Sequence, residues 1–308
     1  MGGDMIDAQS LTRDLGGRWH GRYGTAPCPC CQPERRRDQN ALGLADGRDG
    51  RLLLNCKKGG CAFADILAAA GVAPGSCAPP DPAIIAQRKA EETAQAEKRA
   101  RQAERCWTES LQITGTPAER YLRWRGITCQ LPATLRFHGA CWHGPTARRH
   151  PALVALIEGA DGFVVHRTFI RPDGTGKAGL DGGDKLMLGC TRGGAVRLTE
   201  GPGPLVVAEG IESTLSALIL HGDLTATAWA ALSTSGVRGL RLPVSQCRES
   251  RNGAGPRLTI APDGDGPGRA AANDLAERAH ATGWAVSLLP APDGRDWNDV
   301  LAGKAVTA

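Results

Sequence analysis

The chain has 308 residues, with 37 Lys and Arg against 32 Asp and Glu, giving a formal net charge of +5. Its 41% hydrophobic and 22% charged residues are ordinary for a soluble globular protein, and the length allows two or three domains, while the charge is compatible with a polyanionic partner without establishing one. The longest apolar runs, Leu205 to Ala208 and Leu215 to Leu220, are too short to span a bilayer, and residues 1–11, which carry Asp4 and Asp7, do not read as a signal peptide.

The expectation is therefore a cytoplasmic protein with no membrane partner, in a compartment that keeps thiols reduced. Eleven cysteines then point to metal before disulfides. Four stretches are expected: a cysteine-rich domain at 1–78, a charged helical linker at 79–110, a mixed segment at 111–203 and an α/β domain at 204–308.

In the first stretch Cys28 and Cys31 form a C-x₂-C knuckle, and Cys56 and Cys61 follow with four residues between them. Between the pairs lie two strand-like runs, Ala41 to Leu44 and Arg51 to Leu54, split by a turn at 46–50. A hairpin there brings the pairs together, and four thiolates suit tetrahedral Zn²⁺ in a closed, structural site. Cys30 competes with Cys28 for one position. A short helix, Ala62 to Ala70, closes the module. Around it stand Arg18, Arg22, Arg35, Arg36, Arg37, Lys57 and Lys58, with Trp19 and Tyr23 among them. Basic side chains interleaved with aromatics suit single-stranded nucleic acid, and a solvated charged face is the competing reading.

The second stretch opens on Pro79 and Pro80 and continues as a charged, Ala-rich, mostly exposed helix over Ile84 to Ser110. The third holds a short helix, Pro117 to Trp124, and strand-like runs at Leu153 to Glu158, Phe163 to Ile170 and Lys185 to Leu188. The fourth alternates strand Leu205 to Ala208, helix Ile211 to His221, strands Thr225 to Ala230 and Arg257 to Ala261, helix Gly268 to Ala281 and strand Ala285 to Leu289. Apolar strands alternating with amphipathic helices imply a largely parallel sheet.

Glu209 follows the first of these strands, with Gly210 read as permitting a tight turn into the helix. Asp263-Gly264-Asp265 follows the strand ending at Ala261, and a third acidic run, Asp293 to Asp299, follows the last strand. Ligands of open α/β sheets bind at the carboxyl ends of strands. Carboxylates gathered there repel and need a cation, and an all-oxygen donor set favours Mg²⁺ or Mn²⁺. Such an ion serves phosphoryl or nucleotidyl transfer. Asp-Gly-Asp alone is most often a plain turn; the order Glu-Gly, Asp-x-Asp, then Gly294-Arg295-Asp296-Trp297-Asn298-Asp299 is much more specific.

That order resembles the Toprim domain of primases, topoisomerases and related nucleases. The spelling Val206 to Leu218, Ile260 to Ala279 and Asp293 to Leu301 is most similar to phage- and plasmid-type bacterial primases, strongly over 204–302 and more weakly over Thr116 to Ile127, Leu135 to His138 and Lys185 to Gly189. The resemblance implies a Toprim-type, Rossmann-like, mostly parallel sheet, an α+β primase core segment before it and a zinc-ribbon domain. It implies a DNA primase that makes short RNA primers on a single-stranded DNA template from nucleoside triphosphates, for a phage, plasmid or mobile element. Glu209 would hold metal or act as general base, Asp263 and Asp265 would hold Mg²⁺, and Asp296 would assist them. Arg167 and Lys185 fall where primases hold nucleotide phosphates and template.

Those enzymes usually carry an acid four positions past the glutamate. Here that place is Ser213, with Glu212 one position earlier. No Gly-x₄-Gly-Lys-Ser/Thr loop is present, so no fused helicase motor is expected and a helicase partner would be a separate chain. Two other readings compete: a Toprim nuclease whose carboxylates activate water, and a non-catalytic remnant that holds single-stranded DNA. Tyr121 as a topoisomerase nucleophile is disfavoured. His138, His143, His150 and His166 read as structural, and Cys77, Cys106, Cys129, Cys141, Cys190 and Cys247 as small hydrophobes. Residues 245–256 read as a surface loop.

Overall fold

In the computed structural model, residues 6–36, 38–47, 50–73, 82–222, 225–243 and 255–303 are described. Arg37, Cys77, Cys247 and most of the 245–256 loop lie outside them. The chain divides into two compact units, Met1–Ala94 and Gln95–Ala308.

The first unit opens with helix α1 (Ala8–Asp14), whose N-cap Asp7 accepts the Ser10 amide at 2.6 Å. Strands β1 (Arg18–Trp19), β2 (Gly24–Ala26), β3 (Leu42–Asp46) and β4 (Leu52–Cys56) follow as an antiparallel meander, and helix α2 (Phe63–Ala69) comes after it. Alternation along β3 turns Leu42 and Leu44 inward against Leu11, Leu15 and Ile66. Helix α3 (Pro82–Thr108) follows, and the division between the units falls within it. Its middle is exposed, as its charged sequence predicts. Near its C-terminal end Ala103 and Cys106 are buried against the second unit's first sheet.

That sheet is an antiparallel meander of β5 (Leu111–Gln112), β6 (Leu135–His143), β7 (Arg148–Ile157), β8 (Val164–Phe169) and β9 (Lys185–Leu188), with helix α4 (Pro117–Trp124) between β5 and β6. Helix α4 begins where predicted because Thr116 caps it and Pro117 fits the first helical position.

The last part comprises β10 (Val196–Thr199), β11 (Leu205–Ala208), helix α5 (Ile211–His221), β12 (Thr227–Ala230), α6 (Thr234–Gly239), β13 (Arg257–Ala261), α7 (Gly266–Ala281), β14 (Ala285–Leu288) and α8 (Trp297–Leu301). The sheet order is β10-β12-β11-β13-β14. Three pairings are parallel and the β10–β12 edge pairing is antiparallel, so the expected parallel sheet carries one reversed strand. Every residue of β11 is buried. Leu205 and Val207 pack with Leu275 and Ala279 of α7, while Val206 packs with Leu218 of α5. Ile211 and Leu215 of α5 join Leu135, Leu153 and Val164 in a core shared between the two sheets.

Candidate metal and acidic sites

The register of the parallel strands sets the acidic site. Ala208 of β11 pairs with Ala261 of β13, so Glu209 and Asp263 leave the sheet one and two residues beyond a matched pair. The Asp293–Asp296 segment is held beside them by backbone bonds: Gly264 donates to the Arg295 carbonyl at 2.8 Å, and Gly294 donates to the Gly264 carbonyl at 3.0 Å. A Cβ on Gly264 would collide with the Pro292 carbonyl, so this loop pairing requires glycine. Gly210 has no such need. Its backbone is extended (φ −90°, ψ 155°) with only ordinary contacts around a would-be Cβ, which corrects the tight-turn reading.

The carboxylates feel one another. Burial pushes Asp263 up to about 7, with Glu209, Asp296 and Asp265 adding to the rise and the Ser213 hydroxyl opposing it by donating a hydrogen bond. One Asp263 oxygen is buried without a hydrogen-bond partner. Burial also raises Glu209, helped by Asp265 and opposed by Lys185. Asp265 and Asp296 have structural duties as well. Asp265 caps α7 by accepting the Gly268 amide at 2.7 Å, and Asp296 caps α8 by accepting the Asp299 amide at 2.7 Å.

Glu212, uncertain from sequence, does not face solvent. It is 4% exposed, accepts the Tyr121 hydroxyl at 2.6 Å and meets Lys185 Nζ at 3.3 Å. Burial alone would raise its pKa; Lys185 first, then Tyr121 and Lys177, hold the carboxyl far below its ordinary range. Tyr121 is wholly buried and its pKa is raised by burial and by Glu212, so it stays protonated as a donor. His166 is also buried, its imidazole held down to about 4 by burial and by Lys185. Sequence reading missed the pairing of Lys185, Tyr121 and Lys177 with Glu212, and the donor role of Ser213.

Arg167 and Lys185 do not meet at one place. Across the β8–β9 pairing Lys185 lies opposite Thr168, and Arg167 lies opposite Leu186, so the two point to different faces of the sheet. Arg167 is 7% exposed and donates to the Trp142 and Met187 carbonyls at 2.9 and 3.4 Å.

In the first unit the sulfurs of Cys28, Cys31, Cys56 and Cys61 all lie within 4.8 Å of one another, with Cys31 and Cys56 at 3.5 Å. A tetrahedron with bonds of about 2.3 Å sets its sulfurs about 3.8 Å apart, so the cluster fits Zn²⁺. Cys28 belongs to this group and Cys30 does not. Against burial, the backbone N–H groups of Cys61, Gly59 and Lys58 hold the Cys56 thiol down to about 6, which favours the thiolate a metal needs. Gly59 packs so tightly that a Cβ would lie 3.1 Å from the Cys61 sulfur. Among the described residues this is the one group of three or more Cys, His, Asp or Glu with donor atoms so close; the carboxylates of the acidic site stand farther apart.

Of the basic residues read around the cysteines, Arg35, Arg36 and Lys57 are exposed, and Arg36 pairs with Glu34 at 3.7 Å. Tyr23 is half exposed and stacks on His20 at 5.0 Å. Among the described residues no helix is long and apolar enough to cross a membrane.

Residues 204–305 match the Toprim domain family, and residues 97–198 match a domain of unknown function (DUF7146). No curated protein matches the chain. Among solved structures, a DNA primase domain from Pseudomonas aeruginosa is 17% identical with a TM-score of 0.32, over 54% of this chain and 52% of that one. The chain thus spans about half the length of that neighbour. The zinc-binding and RNA polymerase domains of the Aquifex aeolicus primase give 14% identity and a TM-score of 0.40, over 99% and 83%. The primase fragment of the bacteriophage T7 primase-helicase protein gives 13% and 0.36, over 91% and 94%. The chain carries a Toprim domain over residues 204–305 and an N-terminal cysteine cluster consistent with a zinc site.

Proposed function

We propose that the chain is a DNA primase of phage or plasmid type, which joins nucleoside triphosphates into a short RNA primer on a single-stranded DNA template. The observation that carries this reading is the electrostatic coupling of Glu209, Asp263, Asp265 and Asp296 at the carboxyl end of the Toprim sheet, with a buried, partnerless Asp263 oxygen among them. Neighbouring carboxylates, one of them, Asp263, with its proton held to about 7 by burial and by the others, are a donor set for a hard divalent cation. Glu209, Asp263, Asp265 and Asp296 would hold Mg²⁺ or Mn²⁺. When bound, that ion lowers the pKa of an attacking hydroxyl and neutralises a departing pyrophosphate.

The chain's own residues contribute the rest. Glu209, half-buried with a raised pKa, is suited to accept the proton of a primer 3′-hydroxyl. Ser213 orients Asp263 by donating to it. Lys185, between Glu209 and Glu212, offers a cation toward nucleotide phosphates. In the first unit the four cysteines would carry structural Zn²⁺ in a zinc-ribbon-like module. Arg35, Arg36 and Lys57 would touch template phosphates, and Arg37 is included by sequence alone.

The test is primer synthesis. Labelled nucleotides with single-stranded DNA and Mg²⁺ or Mn²⁺ should give short oligomers that vanish in Glu209→Gln and Asp263→Asn. Folded wild-type protein that makes none across several templates and both metals refutes the proposal. Metal-dependent cleavage of DNA without incorporation would assign a nuclease instead.

A further inference from the structure

Cys106 and Cys141, separated by 35 residues in sequence, meet on the face of the first sheet of the second unit that carries Arg167. Their sulfurs are 3.7 Å apart, and the residues are 8% and 2% exposed. Two local features make this contact. The C-terminal part of α3 lies on the sheet and turns Cys106 inward. On β6 the register with β7 slips between His138 and Cys141, an irregularity of the kind that re-aims the side chain beyond it.

The pair is not sealed in hydrocarbon. Both cysteines line a cavity of about 530 Å³, together with Arg105, Arg149, Arg167 and His138. The two thiols are also unequal. The hydrogen bond shared with Cys106 holds Cys141 down to about 7 against burial, and the charge of nearby Arg167 helps. The same contact, with burial, pushes Cys106 up. Two thiols in contact in an electropositive cavity, with one of them favoured as the thiolate, are the arrangement of an attacking and a resolving cysteine.

We propose that Cys141 and Cys106 are a redox-active dithiol, in which Cys141 attacks a small peroxide admitted to this arginine-lined cavity and Cys106 resolves the product. The Cys141 sulfur attacks one peroxide oxygen, forming an S–O bond and breaking the O–O bond. The leaving hydroxide takes up a proton and departs as water, and Cys141 is left as a sulfenic acid. Cys106 then attacks the Cys141 sulfur, forming the S–S bond and breaking S–O. The departing hydroxide carries off the Cys106 proton as a second water. Two thiols and one hydrogen peroxide thus give one disulfide and two waters, and a thiol reductant reverses the change. The site lies on the sheet face opposite Lys185, so the inference does not rest on nucleotide chemistry.

The full-length, zinc-loaded chain is treated with stoichiometric hydrogen peroxide, alkylated and digested without reductant, and its peptides are weighed. The expected result is one joined species holding Cys106 and Cys141, lighter by two hydrogens than its parts and separated by dithiothreitol. In Cys106→Ser the reaction should stop early, with Cys141 trapped by dimedone as the sulfenic acid. In wild type, alkylation of Cys141 should reach half its maximal rate near neutral pH rather than near the free-thiol value of about 8.5. If the joined peptide forms only after denaturation, or if Cys141 of folded Cys106→Ser protein ignores both peroxide and dimedone, the pair is inert packing and the proposal falls. Should Cys106→Ser fail to fold, the wild-type peptide map and alkylation profile decide the matter alone.

Discussion

Removing Lys185 tests whether Glu212 is held as a charge inside the fold. In Lys185→Met the Glu212 carboxylate, 4% exposed, keeps the Tyr121 hydroxyl at 2.6 Å and loses its ammonium partner at 3.3 Å. Breaking a fully buried pair costs about 3–5 kcal/mol, and an exposed pair is worth about 0–1 kcal/mol. The Lys185 side chain is 39% exposed, so solvent screens part of its charge, and Lys177 remains nearby. A loss of about 2 kcal/mol is the reasoned middle. For a unit of this size that is about 4–8 °C in the unfolding temperature, measurable by calorimetry. Adding Glu212→Gln removes the stranded charge while leaving an acceptor for Tyr121, so the double variant should recover most of the loss. The pH dependence has a fixed sign. A carboxyl held below its ordinary value of 4.5 contributes stability that is full above that pH and is lost as pH falls toward the folded value. The difference between wild type and Lys185→Met should therefore shrink below about pH 4.5. A double variant no more stable than Lys185→Met, or a single variant equal to wild type, would refute this account of the pair.

Three further outcomes follow from the geometry. Stripping metal from the cysteine cluster with a chelator should free four thiols to a colorimetric reagent and lower the unfolding temperature of the first unit, with Zn²⁺ restoring it; unchanged melting would remove the structural role. Gly264→Ala forces a Cβ onto the Pro292 carbonyl and should cost about 1–3 kcal/mol, and wild-type stability in that variant would mean the two acidic loops are not locked together. Asp263, raised from 3.8 to about 7, holds its proton more tightly when folded. Its share of stability should therefore fall as pH rises across that window, flatten in Asp263→Asn, and be offset by Mg²⁺ above about pH 7. A calorimetric pH series shared by wild type and variant would count against it.

Much of the Toprim part is legible because its central strand is buried on both faces and its neighbours carry long apolar stretches. Leu205 to Ala208, Ile211 to His221 and Arg257 to Ala261 are continuous apolar or strongly amphipathic runs, and the structure returns those bounds. The long β6–β7 hairpin is harder to read. Its outer residues, such as Arg148 and Arg149, are exposed and polar, and only pairing across the hairpin makes them strand. Strands β1 and β2, of two and three residues, exist through their partners and carry no periodic signal of their own. The short helices α6 and α8 begin at side-chain caps, Ser233 and Asp296, that sequence reading passed over or assigned to metal. Metal spacing was readable at the cysteines, since a hairpin joins neighbours in sequence. The contacts of Glu212 with Tyr121 and Lys185 span 91 and 27 residues, and no local pattern encodes them.

Arg167 and Lys185 were grouped by resemblance, yet the two-residue period of a strand already separates them. Arg167 shares a face with Val165 and Phe169, whose neighbours are Cys141 and α3, whereas Lys185 shares one with His166 and Thr168. This division would keep the two proposed chemistries apart on one sheet. One face, through the core shared with α5, delivers an ammonium to Glu212 and Glu209 at the carboxyl end of the parallel strands. The other delivers a guanidinium to a thiol. Because each cation is held by the strand pairing that sets its face, a one-residue slip of β9 would bury Lys185 among the apolar side chains of the opposite layer and leave Glu212 without its lysine. Register, more than composition, is what keeps Glu212 charged and the two cysteines on the face away from it.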